Sequence, residues 1–178
     1  MGRGFPESRC ARTQMRGWPD LGRGGPRNTA DLPVILLGIL GNIKYKTRLE
    51  KLAFLCEMEI FKSCKWYDDW KPYMYGPFSL KLLEDMDRLE KDGLVDIHTV
   101  KDPFGHDTKE YLLTESGRHK FNELIAPYVK ECRQIRESLS KYNMFASNMP
   151  LLRKVYNKYP EYAAHSLITE NVGRGQRI

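Results

Sequence analysis

The sequence predicts a mainly α-helical fold that contains one small antiparallel β-hairpin. Apolar residues recur at three- and four-residue spacing through most of the chain, which is typical of helices with one buried face. One stretch, residues 95–100, alternates apolar and polar residues as a half-buried strand does. The 178 residues are 41% hydrophobic and 29% charged, and a chain of this composition can bury a core.

Two helices are predicted at the start of the folded region. The first covers residues 31–41, with Asp31 as its N-terminal cap and Gly41 as its stop. The second covers residues 47–62 and has Thr47 as its cap. Its apolar positions follow the spacing of one buried face: Leu49, Leu52, Ala53, Cys56 and Ile60.

An aromatic, irregular segment leads from the second helix to a third. Residues 63–76 end at Gly76 and Pro77, and because proline disfavours a helical residue before it, a new element starts there. The third helix is predicted over residues 78–91, with Gly93 as its stop. Its predicted core side consists of Leu82, Leu83, Met86 and Leu89.

The remaining elements are a hairpin and a helical extension. Residues 95–100 and 111–114 are predicted to pair as strands. Thr114 would cap a long helix that Pro127 kinks or breaks, and a last helix follows around residues 151–159. We interpret the long helix as a dimerisation element, with the alternative that it folds back on the first helix within one chain. The stripe in question consists of Phe121, Leu124, Ile125, Tyr128, Cys132, Ile135 and Leu139, together with Val129.

The predicted elements follow the order of a winged helix-turn-helix, which is three helices, a strand, a loop and a second strand. In that fold the loop of the hairpin is called the wing. The sequence therefore predicts three parts. Residues 1–30 form a disordered Arg/Gly-rich tail, residues 31–114 form the winged-helix domain, and residues 115–178 form a C-terminal helical dimerisation extension.

Two stretches carry a resemblance to known families. RLEKDGLV (88–95) with YLLTESGRHKF (111–121) resembles PadR-like and MarR-like regulators. RLEKLAFLCE (48–57) with YMYGPFS (73–79) resembles Panacea-type, antitoxin-associated domains and YwgA-like proteins. The resemblance implies a winged-helix protein that binds double-stranded DNA and regulates transcription as a homodimer. It also implies an alternative, a protein-interaction module of the antitoxin-like or adaptor kind.

The candidate DNA contacts cluster around the start of the second helix, the start of the third helix and the wing. Basic side chains there would touch the phosphate backbone, while Ser79 would either contact a phosphate or simply cap the third helix. Lys81 and the nearly neutral wing are equally well explained as solvated surface. The predicted contacts are Lys44, Tyr45, Lys46, Arg48, Lys51, Ser79, Lys81, Arg88, Lys101, His106 and Lys109.

The charge distribution leaves the function open between these alternatives. The net charge is +6, but residues 1–30 hold six arginines against Glu7 and Asp20 and so account for +4 of it. The third helix carries three basic and five acidic residues between Ser79 and Asp92, which is unusual for a groove reader. A protein partner could instead dock on this acidic helix and the aromatic loop 66–75. RNA or ribosome association through the Arg/Gly tail is a third possibility.

Several classes of protein are not supported by the sequence. The four cysteines show no CxxC spacing and the four histidines are dispersed, so we predict no metal site and no cofactor. No nucleophile-base motif or phosphate loop occurs, and we predict that the protein is not an enzyme. The longest apolar run, residues 32–40, is far short of the roughly 20 residues of a membrane span. We therefore expect no membrane partner. Because so few cysteines make a disulfide scaffold unlikely, we also expect a cytoplasmic protein.

Overall fold

Helices predominate in the computed structural model, which describes residues 28–62 and 65–168, and the mainly α-helical class with a small antiparallel sheet is confirmed. The predicted tail falls mostly on residues 1–27, outside the described residues. The helices are α1 Asp31–Leu40, α2 Lys46–Leu55, α3 Leu80–Lys91, α4 Glu115–Leu124, α5 Val129–Met144 and α6 Met149–Lys158. The strands are β1 Ile43–Lys44, β2 Lys71–Tyr73, β3 Gly76–Phe78, β4 Val95–Lys101 and β5 Asp107–Leu113.

The strands form two antiparallel sheets. In the larger sheet the order is β1-β5-β4, and β4 pairs with β5 along its whole length, from Val95 opposite Leu113 to Lys101 opposite Asp107. The predicted pairing of the two strands is therefore correct, although the second strand starts at Asp107 and not at Tyr111. The sheet gains a third strand because Ile43 lies opposite Tyr111. The smaller sheet, β2 with β3, was not predicted, since its three-residue strands are too short to show a period.

Two predicted helix caps are wrong and two are right. Helix α1 starts after Ala30, so Asp31 is its first residue, and α2 starts after Tyr45, so Thr47 lies within its first turn. Ser79 caps α3, because its Oγ accepts a hydrogen bond from the Leu82 N–H at 3.1 Å. Thr114 caps α4 in the same way.

Helix α2 ends seven residues earlier than predicted, in a π-helical turn over Cys56–Ile60. The wider turn follows from a hydrogen bond between the Phe61 N–H and the Cys56 carbonyl at 3.0 Å. Glu57 on this turn is buried, and its Oε2 accepts from the Tyr67 N–H and from Trp70 Nε1, both at 3.1 Å. Burial raises the pKa of Glu57, although these two hydrogen bonds oppose the shift. The aromatic segment is therefore anchored to the core.

Helix α1 lies at the centre of the core, with α4 and α5 packed against it. The predicted break at Pro127 is confirmed, since a 3₁₀ turn over Ala126–Tyr128 separates α4 from α5. The break lets both helices contact α1, and Gly38 of α1 lies directly beneath the Phe121 ring. Among the described helices none is both long enough and apolar enough to cross a membrane.

This packing corrects the interpretation of the C-terminal helix as a free dimerisation face. Ile135 and Leu139 are fully buried within the chain, so the alternative of folding back on α1 holds for them and they cannot meet a partner. Val129 is exposed. The rest of the stripe is partly buried and consists of Phe121, Leu124, Ile125, Tyr128 and Cys132. A homodimer stays a prediction and would have to use other surface.

Candidate functional site

An open cleft of about 490 Å³ lies between the β4–β5 hairpin and the turn that joins α5 to α6. The connection from α1 to α2 forms its third wall. Four of the predicted DNA contacts line this cleft together: Lys44, Tyr45, Arg48 and Lys101. Their neighbours in the lining are Asn42, Asp102, Pro103, Thr108, Asn143, Met144, Phe145 and Ala146.

Tyr45 has the unusual backbone of the site. Its φ of 72° lies in the region that side chains other than glycine rarely adopt. The conformation is held from both sides, because the Tyr45 N–H donates to the Lys109 carbonyl at 2.8 Å and its own carbonyl accepts from the Arg48 N–H at 3.0 Å. Strained residues of this kind occur often at functional sites, where the surrounding structure holds them in place.

Arg48 lies beneath Tyr45 and is 3% exposed, with its guanidinium carbon 5.3 Å from the centre of the Tyr45 ring. Its Nε donates to Asn148 Oδ1 at 2.8 Å, and its two terminal nitrogens donate to the carbonyls of Asn143 and Phe145 at 3.0 and 2.6 Å. Burial lowers the pKa of the guanidinium, with the opposing effect of Tyr45 being smaller. Arg48 therefore holds the α5–α6 turn in place and adds a positive charge to the cleft. Because its guanidinium already donates to three groups of that turn, it is not free to bind a phosphate.

The accessible cations of the cleft are Lys44 and Lys101. Lys44 has a half-exposed side chain, and its Nζ lies 3.9 Å from Glu110 Oε1. Lys101 is 66% exposed, and its Nζ lies 2.7 Å from Asp107 Oδ1. Exposed ion pairs of this kind contribute about 0–1 kcal/mol, so both ammonium groups can exchange their carboxylate for another anion.

Asp102 is the acidic member of the lining, and it is committed to the hairpin turn. Its Oδ1 accepts hydrogen bonds from the N–H groups of Phe104 and His106, both at 2.8 Å. Desolvation raises the pKa of Asp102, but these two backbone hydrogen bonds together with the His106 side chain leave the pKa below its usual value. The carboxylate therefore shapes the turn, and the lining holds three cationic side chains, Lys44, Arg48 and Lys101, beside it.

The far wall of the cleft combines an amide with an apolar rim. Asn143 Nδ2 donates to the carbonyls of Leu40 and Asn42 at 3.0 and 2.8 Å, whereas its Oδ1 is buried and accepts no hydrogen bond within the described part of the chain. Met144 and Phe145 next to it are exposed. This wall therefore offers apolar contact beside the two lysines.

Two predicted contacts lie in the interior and away from the cleft. Lys51 is 1% exposed, and its Nζ donates to Glu50 Oε2 and to the Pro77 carbonyl, both at 3.0 Å. Ser79 is fully buried; it caps α3 and donates to Asp69. Neither side chain can reach a phosphate in this structure, so we leave both out of the contacts proposed below.

The other predicted contacts lie on the surface but are engaged by neighbours. On α3, Lys81 pairs with Asp68, and Arg88 pairs with Asp85. The remaining three are exposed and lie outside the cleft lining: Lys46 lies over the Phe78 ring, His106 contacts Asp102, and Lys109 donates to Thr99. The exposed face of α3 also carries Glu84, Asp87 and Glu90. The structure thus brings Lys44 and Lys101 together at the cleft and places Lys81 and Arg88 on α3 among carboxylates.

The residues that sequence reasoning missed are those of the α5–α6 turn. Asn143, Phe145 and Asn148 lie about 100 positions from Arg48, and a non-local contact of this kind leaves no periodic pattern in the sequence. Within residues 28–62 and 65–168, no group of three or more His, Cys, Asp or Glu side chains could hold a metal ion.

Comparison with protein-family models, with curated proteins and with solved structures finds no match to this chain.

Proposed function

We propose that this chain is a winged-helix protein that binds double-stranded DNA through the phosphate backbone and acts as a transcriptional regulator. The observation that carries the proposal is the convergence of Lys44, Tyr45 and Lys101 in one cleft beside the β4–β5 hairpin. These residues come from two segments separated by more than fifty positions, and the fold brings them together on an accessible surface.

The order of elements supports the winged-helix part of the proposal. Helices α1, α2 and α3 precede the β4–β5 hairpin, and the short strand β1 between α1 and α2 pairs with the last strand, β5. In this arrangement the hairpin is the wing. Its tip carries Phe104, which is 83% exposed, so the wing projects beside the cleft.

The charges support backbone contact in preference to base reading. Phosphate oxygens can replace Glu110 and Asp107 as partners of Lys44 and Lys101, and each phosphate neutralised in this way releases counterions. In contrast, the exposed carboxylates of α3 would repel DNA in the major groove. Contacts to phosphates position a protein on DNA, and its sequence preference then depends on DNA shape.

The test is fluorescence anisotropy of a mixed-sequence DNA duplex titrated with the full chain across a salt series. We expect the double variant Lys44→Glu/Lys101→Glu to weaken binding at low salt. The slope of log affinity against log salt should fall by about 2, since each phosphate contact contributes roughly 0.9. The matched control is Lys130→Glu/Arg133→Glu, which reverses two exposed cations of α5 outside the cleft lining.

The Arg-rich residues 1–30 are present in every variant, so their contribution cancels between wild type and variants. If the cleft variant and the control lower affinity and slope equally, the cleft is not the DNA site. If the full chain does not bind the duplex even at the lowest salt, the DNA-binding proposal is wrong.

A protein-interaction module is the second candidate. The observation in its favour is the pairing of Lys81 and Arg88 with Asp68 and Asp85, which leaves the exposed face of α3 acidic. For a winged-helix fold retained for a protein partner, the cleft variant and wild type would show the same affinity for the duplex and the same salt dependence. The titration above therefore distinguishes the two candidates.

A further inference from the structure

The β2–β3 hairpin presents an exposed apolar face that the proposed DNA site does not use. Tyr73, Met74 and Tyr75 form the end of β2 and the turn, and each is 46% exposed. Leu80, two residues after β3, is 51% exposed. Contiguous exposure of large apolar side chains is unusual and often marks an interaction site.

Two lysines flank this face around Phe78. Lys71 lies opposite Phe78 in the strand register, and its Nζ is 5.5 Å from the centre of the Phe78 ring. Lys46, from the first turn of α2, has its Nζ 5.7 Å from the same ring. The Tyr73 ring lies 5.0 Å from the Phe78 ring. Neither lysine is among the ion pairs formed by residues 28–62 and 65–168.

The hairpin is held rigidly from its inner side. Buried Lys51 donates to the Pro77 carbonyl at 3.0 Å, and the Leu167 N–H donates to the Met74 carbonyl at 2.9 Å. Gly76 has a φ of 91°, and a Cβ there would lie 2.8 Å from the Tyr156 ring. A surface fixed in this way loses little conformational entropy when a partner binds.

We propose that the outer face of this hairpin, made of Lys46, Lys71, Tyr73, Met74 and Phe78, docks an acidic segment of another protein. A carboxylate of the segment pairs with the two lysines over the Phe78 ring, and an apolar side chain beside the carboxylate packs on Tyr73 and Met74. Tyrosine, phenylalanine and methionine are enriched at protein interfaces, and polar side chains typically surround them at the rim.

Charge complementarity identifies the occupant as an acidic partner. The two terminal segments outside the described residues carry a net positive charge, since residues 1–27 hold six arginines against Glu7 and Asp20, and residues 169–178 hold two arginines against Glu170. A stacked nucleic acid strand is less suitable, because Met74 supplies no aromatic plane and both lysines lie over the Phe78 ring.

The experiment selects a phage-displayed library of random peptides on the full chain, with counter-selection on the full-chain double variant Lys46→Glu/Lys71→Glu. We expect enriched peptides to combine Asp or Glu with a neighbouring Leu, Ile, Phe or Trp. Fluorescence anisotropy then measures the affinity of a synthetic peptide of the enriched sequence. The peptide should bind wild type at least tenfold more tightly than it binds the double variant or Tyr73→Ala. The charge-matched control, Lys130→Glu/Arg133→Glu, should bind like wild type.

Thermal unfolding checks that each variant is folded. Because both lysines are exposed, the double variant tests the surface independently of the packing of Tyr73. The proposal is overturned if no peptide is enriched or if an enriched peptide binds the double variant as well as wild type. It is also overturned if the same variants abolish binding of oligo(dT), or abolish self-association in sedimentation velocity, since a nucleic acid or a second copy would then be the occupant. The DNA test uses Lys44 and Lys101, so each proposal can fail without the other.

Discussion

The buried pair of Lys51 and Glu50 allows a quantitative test of how the β2–β3 hairpin is held. Lys51 is 1% exposed and Glu50 is 5% exposed. The Lys51 ammonium joins Glu50 Oε2 to the Pro77 carbonyl, with both distances at 3.0 Å. The perturbation is Lys51→Met, which keeps the apolar stem and removes the charge and both hydrogen bonds.

The expected destabilisation follows from what the substitution leaves behind. Glu50 Oε1 already accepts no hydrogen bond among the described residues, so after Lys51→Met neither carboxylate oxygen has a partner. Leaving one member of a buried ion pair uncompensated costs about 3–5 kcal/mol. In Glu50→Gln/Lys51→Met the charge is gone, and the buried amide without a partner costs about 1–3 kcal/mol in its place. The unpaired Pro77 carbonyl is common to both variants, so the second substitution should restore roughly 2 kcal/mol.

The assay is urea unfolding followed by circular dichroism for wild type, both single variants and the double variant at neutral pH. On a chain of this size each 1 kcal/mol also shifts Tm by about 2–4 °C, so thermal unfolding gives an independent check. The reasoning is refuted if Lys51→Met costs less than about 1 kcal/mol, or if Glu50→Gln adds to the loss in the Lys51→Met background, because the lysine would then not compensate a buried carboxylate.

Two further predictions concern the π turn and α4. Partial burial raises the pKa of Glu59, but hydrogen bonds from Lys154 and Lys158 outweigh it, so the folded pKa lies below the usual 4.5. Glu59→Gln should lower the free energy of unfolding by about 1–2 kcal/mol at pH 7. Urea titrations should show the difference between variant and wild type shrinking as the pH falls from 4.5 through the folded pKa of Glu59. A difference independent of pH contradicts a lowered pKa of Glu59. A Cβ at Gly117 would lie 1.9 Å from the Leu94 carbonyl oxygen. Gly117→Ala should therefore destabilise the protein by about 2 kcal/mol or more, despite the better helix propensity of alanine. Thermal unfolding tests this against the control Ser116→Ala at an exposed site, and equal Tm values for the two variants would show that the contact is not tight.

Local patterns were sufficient to predict the elements that depend on neighbouring residues. The alternation of residues 95–100, the cap at Thr114 and the break at Pro127 all act within a few positions, and all three are confirmed. The start of α2 was predicted wrongly, because a threonine looked like a cap while the true boundary is set by the bond from the Tyr45 N–H to Lys109 on β5.

The candidate site was predictable in part, because the charge of each side chain can be read from the sequence. Lys44 and Lys101 were selected as cations, and the fold places both in one cleft. The sequence contains no sign that Arg48 and Lys51, on the same basic stretch, turn inward to hold the α5–α6 turn and the β2–β3 hairpin. Charge is visible in a sequence, but burial is not, because it depends on which distant segment covers the side chain.

The sequence by itself determined the helical class, the paired strands and the acidic character of the third helix, because these depend on composition and on spacing over a few residues. The tertiary structure alone decided which cations remain accessible, that Ile135 and Leu139 belong to the chain's own core, and that Tyr73, Met74 and Phe78 lie together on the β2–β3 hairpin. These outcomes depend on contacts between residues as many as 100 positions apart, which are set by packing and solvent exclusion across the whole domain.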